Sequence, residues 1–419
     1  MFSPNRLFRP IDVTGAASGP SCMLDLSRRP LRRPWESTPF RLLAACCRWP
    51  PSAQRDAAVA RAADGVDWTV FAALIKRHRV EGLAHAALAV AAVRPPAPIA
   101  QALAARAGDI ARQGLIQAAQ SARLQALFDT AGIANLVLKG AALDQLAYGR
   151  LGLKSAWDID LLVPPAMAAR ARALLETAGY EMTIPAASTA QAFAQWTALS
   201  KESVFVGRGT GVVVELHWRL VDGDLLPGLS ADSPGQSVAL SAETVLRTLA
   251  PDALVAYLMV HGASHGWSRL KWLADLNALL PGDDPVALED VYRRSVALGA
   301  GVCPAVAIRL CRRLFGLAVA APLWREIDAD LKARALERVA LNAMAGGAGR
   351  ETADRPFVED AILASRLLFA DGRDWRRGEW RRQWVSVHDR THIRLPAPFG
   401  FLYGVVRVPL WLWRRVRRP

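Results

Sequence analysis

The stretch LVLKGAALDQLAYGRLGLKSAWDIDLLV, residues 136–163, decides the fold of this chain. It opens with a short apolar segment, turns at Lys139-Gly140 into a helical pattern that ends near Tyr148, and closes with an apolar strand candidate at 157–163. A further strand candidate, VVVELHWRL, occupies residues 212–220. Strand, helix and strand within so short a stretch predict a small sheet with helices packed on it.

Around this stretch, the hydrophobic pattern divides the chain into helical and sheet-forming parts. Helical spacing lies on both sides, including one helix or two over 99–129 and a helix over 243–261, and strand candidates lie at 133–138, 157–163, 180–184, 202–206 and 211–220. The predicted class is α+β, a small mixed β-sheet core with helical N-terminal and C-terminal flanks. The predicted divisions are a disordered segment at 1–36, a helical region at 37–130, the sheet core at 131–222, a helical region at 240–370 and a basic Trp/Arg-rich tail at 371–419.

The positive charge is concentrated at the ends of the chain. The net charge is +14, but residues 371–419 hold twelve arginines against four acidic residues, and the segment 41–370 is close to neutral. This distribution argues against sequence-specific nucleic-acid binding and for contact of one end with an anionic surface. The apolar run at 399–413 is too short to span a bilayer, so the tail is predicted to contact a membrane surface or an anionic partner, with packing on the body as the alternative.

Cysteine usage and the N-terminus bear on the cellular compartment. The five cysteines include no CxxC pair, which indicates a reducing compartment and no structural zinc. The N-terminus lacks the continuous apolar run of a secretory signal. Together these features predict a cytoplasmic protein, membrane-peripheral at most.

Three carboxylates stand where the predicted strands would bring them to one face. Alternate residues of a strand share a face, so Asp158 and Asp160 point the same way, and an adjacent strand would bring Glu215 beside them. Neighbouring carboxylates repel one another unless a cation lies between them. Mg²⁺ or Mn²⁺ takes such oxygen ligands together with water and substrate phosphates. The three residues are therefore predicted to be both metal ligands and catalytic residues of a phosphoryl transfer.

The turn before the first helix of this stretch is predicted to hold phosphates. Gly140 lets backbone amides approach an anion, and the helix N-terminus that follows adds positive potential. Lys139 and Lys154 would contact phosphate oxygens as point charges, although a solvated turn residue is the alternative for Lys139. Ser155 and Arg269 complete the predicted nucleotide-binding residues.

Two histidines are predicted to support the site. His217 lies on the carboxylate face of its strand, where it could contact metal or phosphate; a hydrogen bond to a metal ligand is the favoured interpretation. His261 and His265 lie one helical turn apart but lack the glutamate of an HExxH motif. They are predicted to pack beside the site, with His265 as a second supporting group.

Taken together, these motifs resemble the uncharacterised nucleotidyltransferase family of the polymerase-β-type superfamily. The matching features are LKG at 138–140, Tyr148, DIDLLV at 158–163, ELHW at 215–218 and HGASHGWSRLKWLADLNALL at 261–280, after a helical lead-in that contains LLAACCR and DWTVFAALIKRHRV. The resemblance covers roughly residues 40–290. It implies a polymerase-β-like core in which the two aspartates and the third carboxylate bind metal, an NTP substrate, and a saccharide or lipid-linked acceptor of polysaccharide biosynthesis.

The chain departs from that pattern in three places, and two other functions stay open. Ala141 follows the turn glycine where serine is usual, Lys154 replaces arginine, and Glu215 replaces aspartate. A glycosyltransferase also uses a DxD motif, but it predicts a larger parallel sheet near the beginning of the chain. A non-catalytic nucleotide-binding or scaffold protein would account for the departures, and it predicts binding of Mg·NTP without release of pyrophosphate.

Overall fold

The computed structural model describes residues 33–185, 189–347 and 349–384, and within them Pro34–Gln383 form one compact unit. Pro34–Glu36, inside the segment predicted to be disordered, form a short 3-10 helix. Residues 1–32 of that segment and the apolar run at 399–413 lie outside the described residues.

In the described part of the chain, five α-helices precede the sheet. They are Thr38–Cys46 (α1), Ala53–Ala63 (α2), Trp68–His78 (α3), Glu81–Val90 (α4) and Ala97–Thr130 (α5). Helix α3 begins where the carboxylate of Asp67 accepts hydrogen bonds from the amides of Thr69 and Val70, and it ends at Arg79 in the left-handed conformation. Helix α5 is a single helix of 34 residues, which decides between the two alternatives for that segment.

Within the described residues, the main sheet has five strands in the order β1-β2-β5-β4-β3. The strands are Leu136–Val137 (β1), Asp158–Leu162 (β2), Tyr180–Ile184 (β3), Glu202–Gly207 (β4) and Val213–His217 (β5). Strands β2 and β5 are parallel and the other neighbouring pairs are antiparallel, so the sheet is mixed, as predicted. The helices between the strands are Ala141–Tyr148 (α6), Ala168–Thr177 (α7) and Ala190–Leu199 (α8).

The two faces of this sheet differ in polarity. Ile159 and Leu161 of β2, with Val214 and Leu216 of β5, are buried in an apolar core that includes residues of α5 and α7. Because successive side chains of a strand point to opposite faces, the residues between them lie on the other face. That other face carries the carboxylates.

A hairpin replaces the start of the helix predicted over 243–261. Strands Gly235–Ala239 (β6) and Val245–Leu249 (β7) form a two-stranded antiparallel sheet. The helix that follows is Pro251–Ser264 (α9). Ser241, which resembles a helix cap in the sequence, instead accepts hydrogen bonds from the amides of Glu243 and Thr244 in the hairpin turn. Pro251 marks the true start of the helix, because proline is favoured at the first helical position.

The rest of the described chain is helical. Its helices are Leu270–Leu279 (α10), Pro285–Ala297 (α11), Cys303–Phe315 (α12), Ala321–Ala329 (α13), Leu331–Ala345 (α14), Val358–Ser365 (α15) and Arg373–Trp384 (α16). Apolar residues of α9–α14 share one core with those of α1, α3 and α4, so the predicted N-terminal and C-terminal helical regions pack together. Among the described residues, no helix has both the length and the hydropathy needed to cross a bilayer.

The fold also bears on the glycosyltransferase alternative. Residues 33–130, all of them described, contain no strand, and the main sheet begins only at Leu136. The larger parallel sheet that a glycosyltransferase predicts near the beginning of the chain is therefore not found there. The architecture is α+β, with a small mixed sheet between helical flanks.

Candidate active site

The parallel pairing of β2 and β5 places the predicted carboxylates together. Asp160 is the direct cross-strand partner of Glu215, and Asp158 pairs with Val213 at the start of the same strands. In a parallel pair such partners point to the same face of the sheet. The apolar alternate positions of both strands turn inward, so the sequence pattern fixes which face the carboxylates occupy.

Three side chains come close enough to share one metal ion. The ligand atoms of Asp160, Glu215 and His217 all lie within 4.8 Å of one another. Asp158, which was predicted in this set, is half-buried at the edge of the group and is not one of the three. His217, which was predicted to support the ligands, is itself among the potential ligand residues.

Asp160 is held by a lysine from the turn after β1. The Lys139 Nζ lies 2.8 Å from Asp160 Oδ1, and the backbone amide of Leu138 donates to the Asp160 carbonyl oxygen at 3.0 Å. The Asp160 side chain is only 2% exposed. Burial opposes its ionisation, but Lys139 and His217 outweigh burial and hold the pKa of Asp160 well below its usual value. Asp160 is therefore a carboxylate at neutral pH.

His217 connects the carboxylates into one network. Its Nε2 lies 3.3 Å from Asp160 Oδ1 and 3.6 Å from Glu215 Oε2. Its Nδ1 approaches Glu202 Oε2 at 3.2 Å, although not in hydrogen-bond geometry. Burial and the nearby Lys201 favour the neutral ring, but Glu202 and the hydrogen bonds to Asp160 and Glu215 outweigh them and raise the pKa of His217.

Glu202 and Lys201 are functional candidates that the sequence analysis missed. Glu202 lies across from His217 in the antiparallel pairing of β4 and β5, and its carboxylate forms an ion pair with Lys201. Burial would raise its pKa, but Lys201 and His217 lower it to about 2. The scarcity of lysine was the available signal, because two of the six lysines in this arginine-rich chain, Lys139 and Lys201, form ion pairs with carboxylates of this site.

The negative charges around Glu215 oppose the ionisation of its carboxyl group. Its side chain is 18% exposed. Burial, the charge of Asp158 and the charges of Glu202 and Asp160 raise the pKa of Glu215 to about 7, although the hydrogen bond with His217 opposes the shift. Burial together with this crowding of negative charges favours a cation beside Glu215.

Gly140 shapes the turn that was predicted to hold phosphates. Its backbone has φ +62° and ψ −131°, a conformation that only glycine adopts readily, and the space around its Cα is open. Helix α6 begins at the next residue, and so its unpaired amides start beside Lys139. The turn lies next to the carboxylate cluster, because Lys139 contacts Asp160.

Lys154 is buried and pairs with two carboxylates, although it was predicted to contact phosphate. Its Nζ lies 2.8 Å from Asp275 Oδ2 and 3.2 Å from Asp144 Oδ1, and the Tyr148 hydroxyl donates to the other oxygen of Asp275 at 2.8 Å. The Lys154 side chain is 6% exposed. These contacts favour a structural role for Lys154 over the predicted contact with the triphosphate.

Ser155 and Arg269, the other predicted nucleotide-binding residues, are also engaged. The guanidinium of Arg269 donates to both carboxylate oxygens of Glu351, at 3.0 and 2.9 Å, and to the carbonyl oxygen of Arg77. The Ser155 hydroxyl is buried and accepts a hydrogen bond from Arg106 at 3.3 Å. The guanidinium of Arg269 thus donates to other groups of the protein. Ser155 lies in the segment that leads into β2.

His265 belongs to a cluster of rings, hereafter the ring cluster, formed by Tyr257, His261, His265 and Trp272. The ring centroids of the two histidines are 4.6 Å apart, and His265 lies 5.0 Å from Trp272. Burial, followed by Arg366 and Lys201, lowers the pKa of His265 to about 3, so its ring is neutral. Tyr257 is fully buried, and its hydroxyl has no hydrogen-bond partner among the described residues.

Comparison with known proteins identifies a family. The family model described as uncharacterised nucleotidyltransferase matches residues 64–316, more than half of the chain. No curated protein matches the chain. Among solved structures, the solution structure of the antibiotic-resistance factor ANT(2'')-Ia is similar at 17% identity, over 52% of this chain and 99% of that chain, with a TM-score of 0.26. A structural likeness that slight carries no argument.

Proposed function

Because the chain belongs to the uncharacterised nucleotidyltransferase family, we propose that it transfers a nucleotidyl group from an NTP to a hydroxyl of an acceptor, in a metal-dependent reaction. The observation that carries this proposal is the parallel pairing in which Asp160 and Glu215 lie side by side, two residues after Asp158. The oxygen of the acceptor forms a bond to the α-phosphorus, and the bond from that phosphorus to the bridging oxygen breaks. Pyrophosphate leaves.

The donor chemistry of the cluster fits a divalent cation. Two carboxylates and one imidazole nitrogen lie within 4.8 Å of one another, and hard cations such as Mg²⁺ or Mn²⁺ prefer carboxylate oxygen. We assign Asp160 and Glu215 as ligands, Asp158 as a third ligand from the start of the strand, and His217 as the group that orients the carboxylates. When bound, the metal neutralises phosphate charge and acidifies the acceptor hydroxyl.

The other residues of the site bind substrate and move the proton. Glu215 takes the proton of the acceptor hydroxyl as the new bond forms. Lys139 keeps Asp160 ionised and in position through their 2.8 Å contact. The Gly140 turn and the first amides of α6 seat the phosphates of the NTP.

The proposed acceptor is a saccharide or a lipid-linked saccharide of polysaccharide biosynthesis. Support comes from the ring cluster, which adjoins the carboxylates: Lys139 and Asp160 both act on the pKa of His261, and Tyr257 lies 5.7 Å from that ring. The half-buried rings of His261, His265 and Trp272, with their imidazole nitrogens, suit a hydroxylated, uncharged molecule. The proposed setting is the cytoplasm, with the basic tail in contact with a membrane surface or another anionic partner.

The test measures pyrophosphate release from each labelled NTP with Mg²⁺ and with saccharide and lipid-linked acceptors. We compare the wild type with Asp158→Asn, Asp160→Asn and Glu215→Gln. The matched control is Asp109→Asn, which removes a half-exposed carboxylate that pairs with Arg112 on α5. The control should keep wild-type activity, whereas the three site variants should lose at least about 100-fold, which corresponds to roughly 2.7 kcal/mol of transition-state stabilisation.

Folding must be separated from catalysis in this comparison. Asp160→Asn leaves the half-buried Lys139 without its partner, so part of its effect is a loss of stability. Asp158 is less buried and forms no ion pair among the described residues, so Asp158→Asn tests catalysis with little effect on the melting temperature. Equal pyrophosphate release by the wild type and folded Asp158→Asn would contradict the proposal. Mg·NTP binding by the wild type without any pyrophosphate release would favour the non-catalytic alternative.

A further inference from the structure

Three cationic side chains from separate elements meet at residues 155–157, the segment that leads into β2. The Nζ of Lys271, on α10, lies 3.4 Å from the carbonyl oxygen of Ser155, and Arg106, on α5, donates to the hydroxyl of the same serine. The guanidinium carbons of Arg79 and Arg106 lie 5.8 and 6.0 Å from the ring centroid of Trp157. Trp157 is 44% exposed, so this segment is open to a ligand.

Two of the carboxylates near this group form ion pairs with cations outside it, whereas Glu81 pairs with Arg106 itself at 3.5 Å. Asp275 follows Lys271 by one turn of the same helix, yet it pairs with Lys154 at 2.8 Å. Glu351 pairs with Arg269. Among the described residues, no carboxylate lies within ion-pair distance of Lys271, whose ammonium group therefore keeps hydrogen-bond donors available.

The pKa of Lys271 shows that burial and nearby cations disfavour its charged form. Burial lowers its pKa to about 7, with further lowering by Arg79 and Lys154, and the charges of Asp158 and Asp275 offset this only in part. A lysine whose pKa is shifted by burial and by neighbouring cations, beside an exposed segment of the chain, is a candidate functional group. Lys271 also lies in the first turn of α10, where the helix dipole adds positive potential.

We propose that Lys271, together with Arg79 and Arg106, binds the outer phosphates of the NTP, the part that leaves as pyrophosphate. This inference rests on the proposed function and refines it. The sequence analysis assigned a phosphate contact to Lys154 and Arg269, but both side chains form ion pairs with carboxylates. We assign that contact to Lys271 instead. Because negative charge grows on the leaving pyrophosphate, a lysine at this place stabilises the transition state as well as the bound substrate.

The test uses inorganic tripolyphosphate as its probe, so that it does not depend on catalysis. Calorimetric titration compares Lys271→Met and Lys271→Arg with the wild type, for tripolyphosphate with Mg²⁺, for each NTP and for the matching nucleoside. The matched control is Lys76→Met, at an exposed lysine on α3. Lys271→Met should weaken binding of tripolyphosphate and NTP roughly 10- to 100-fold, the range expected for one charge-assisted hydrogen bond, without changing nucleoside binding. Lys271→Arg should restore most of the affinity.

The stability of the unliganded protein gives a second, independent readout. Removing a cation crowded by Arg79 and Lys154 should raise the melting temperature of Lys271→Met by about 2 °C at neutral pH, whereas a merely structural lysine would lower it on removal.

The inference is overturned if Lys271→Met binds tripolyphosphate as the wild type does, or if the wild type does not bind it. The proposed function fails by a different result, undiminished pyrophosphate release by Asp158→Asn, so the two failures can be told apart.

Discussion

The backbone amide of Leu270 donates a hydrogen bond of 2.9 Å to Nδ1 of His78. His78 is the fully buried last residue of α3, and Leu270 is the first residue of α10. The bond satisfies one of the amides that every helix leaves unpaired at its N-terminus. An N-terminal helix thereby fixes the end of α10 that carries Lys271.

Replacing this histidine tests that link. His78→Leu fills a similar volume but leaves the buried amide of Leu270 without a partner, so we expect the free energy of unfolding to fall by about 1–3 kcal/mol. Urea denaturation measures the change. The control is His85→Leu, at a half-buried histidine on α4. Equal losses at both positions would show that the hydrogen bond to α10 is not what makes His78 important.

Gly140 should tolerate alanine worse than Gly149, although the two residues flank the same helix. Gly149 has φ +67° and ψ 10°, the left-handed conformation, whereas Gly140 has φ +62° and ψ −131°. Neither position has an atom in the way of a Cβ, so backbone conformation alone decides the cost. Thermal unfolding should show a loss of up to about 3 kcal/mol for Gly140→Ala and about 1 kcal/mol for Gly149→Ala. The reverse order would mean that the turn relaxes.

Lys154→Met separates a structural lysine from a substrate-binding one. It leaves the buried carboxylates of Asp144 and Asp275 without their cation, so stability should fall by about 3–5 kcal/mol. The KM for NTP, measured well below the melting temperature, should stay close to that of the wild type. If the variant is stable but its KM for NTP is raised, the result would support the phosphate contact that the sequence predicted for Lys154.

The stability conferred by Lys271→Met should depend on pH. The pKa of Lys271 is about 7 in the folded protein, against an ordinary value of 10.5. Between these pH values the unfolded chain binds more protons at this position, so the contribution of Lys271 makes wild-type stability rise with pH. The variant lacks that slope, and its advantage should be largest below pH 7 and shrink towards pH 10.5. The other charged groups that act on Lys271, namely Arg79, Lys154, Asp158 and Asp275, are present in both proteins. Melting temperatures at about pH 6, 8 and 9.5 check this, and a constant difference would contradict it.

The face and the neighbours of the carboxylates followed from local pattern. The period-two alternation around Asp158 and Asp160 fixes which side chains turn inward, and the apolar run around Glu215 marks a second strand that would suit the same sheet. The exact register, with Glu215 beside Asp160, was not available from that pattern. The α+β class, which was predicted from the same local hydrophobic patterns, was confirmed.

Other features depend on contacts between distant parts of the chain. Lys154 and Lys271 look alike in sequence, and only the approach of Asp144 to Asp275 decides which lysine forms the buried ion pair. Glu202 reaches the site through the register of an antiparallel pair, which its own neighbours in sequence do not encode. The hairpin before α9 was mistaken for helix because Ser241 caps a turn and a helix by the same hydrogen bonds.

Helix α5 has a mechanical consequence for the enzyme. Leu103, near its beginning, packs in the core shared by the helical flanks, whereas Leu124 and Phe128, near its end, pack beneath the sheet. At 1.5 Å per residue its 34 residues form a continuous rod about 51 Å long. Swinging the sheet away from the helical flanks would bend this rod and break its backbone hydrogen bonds. One continuous element therefore holds the sheet and the helical flanks at a fixed spacing.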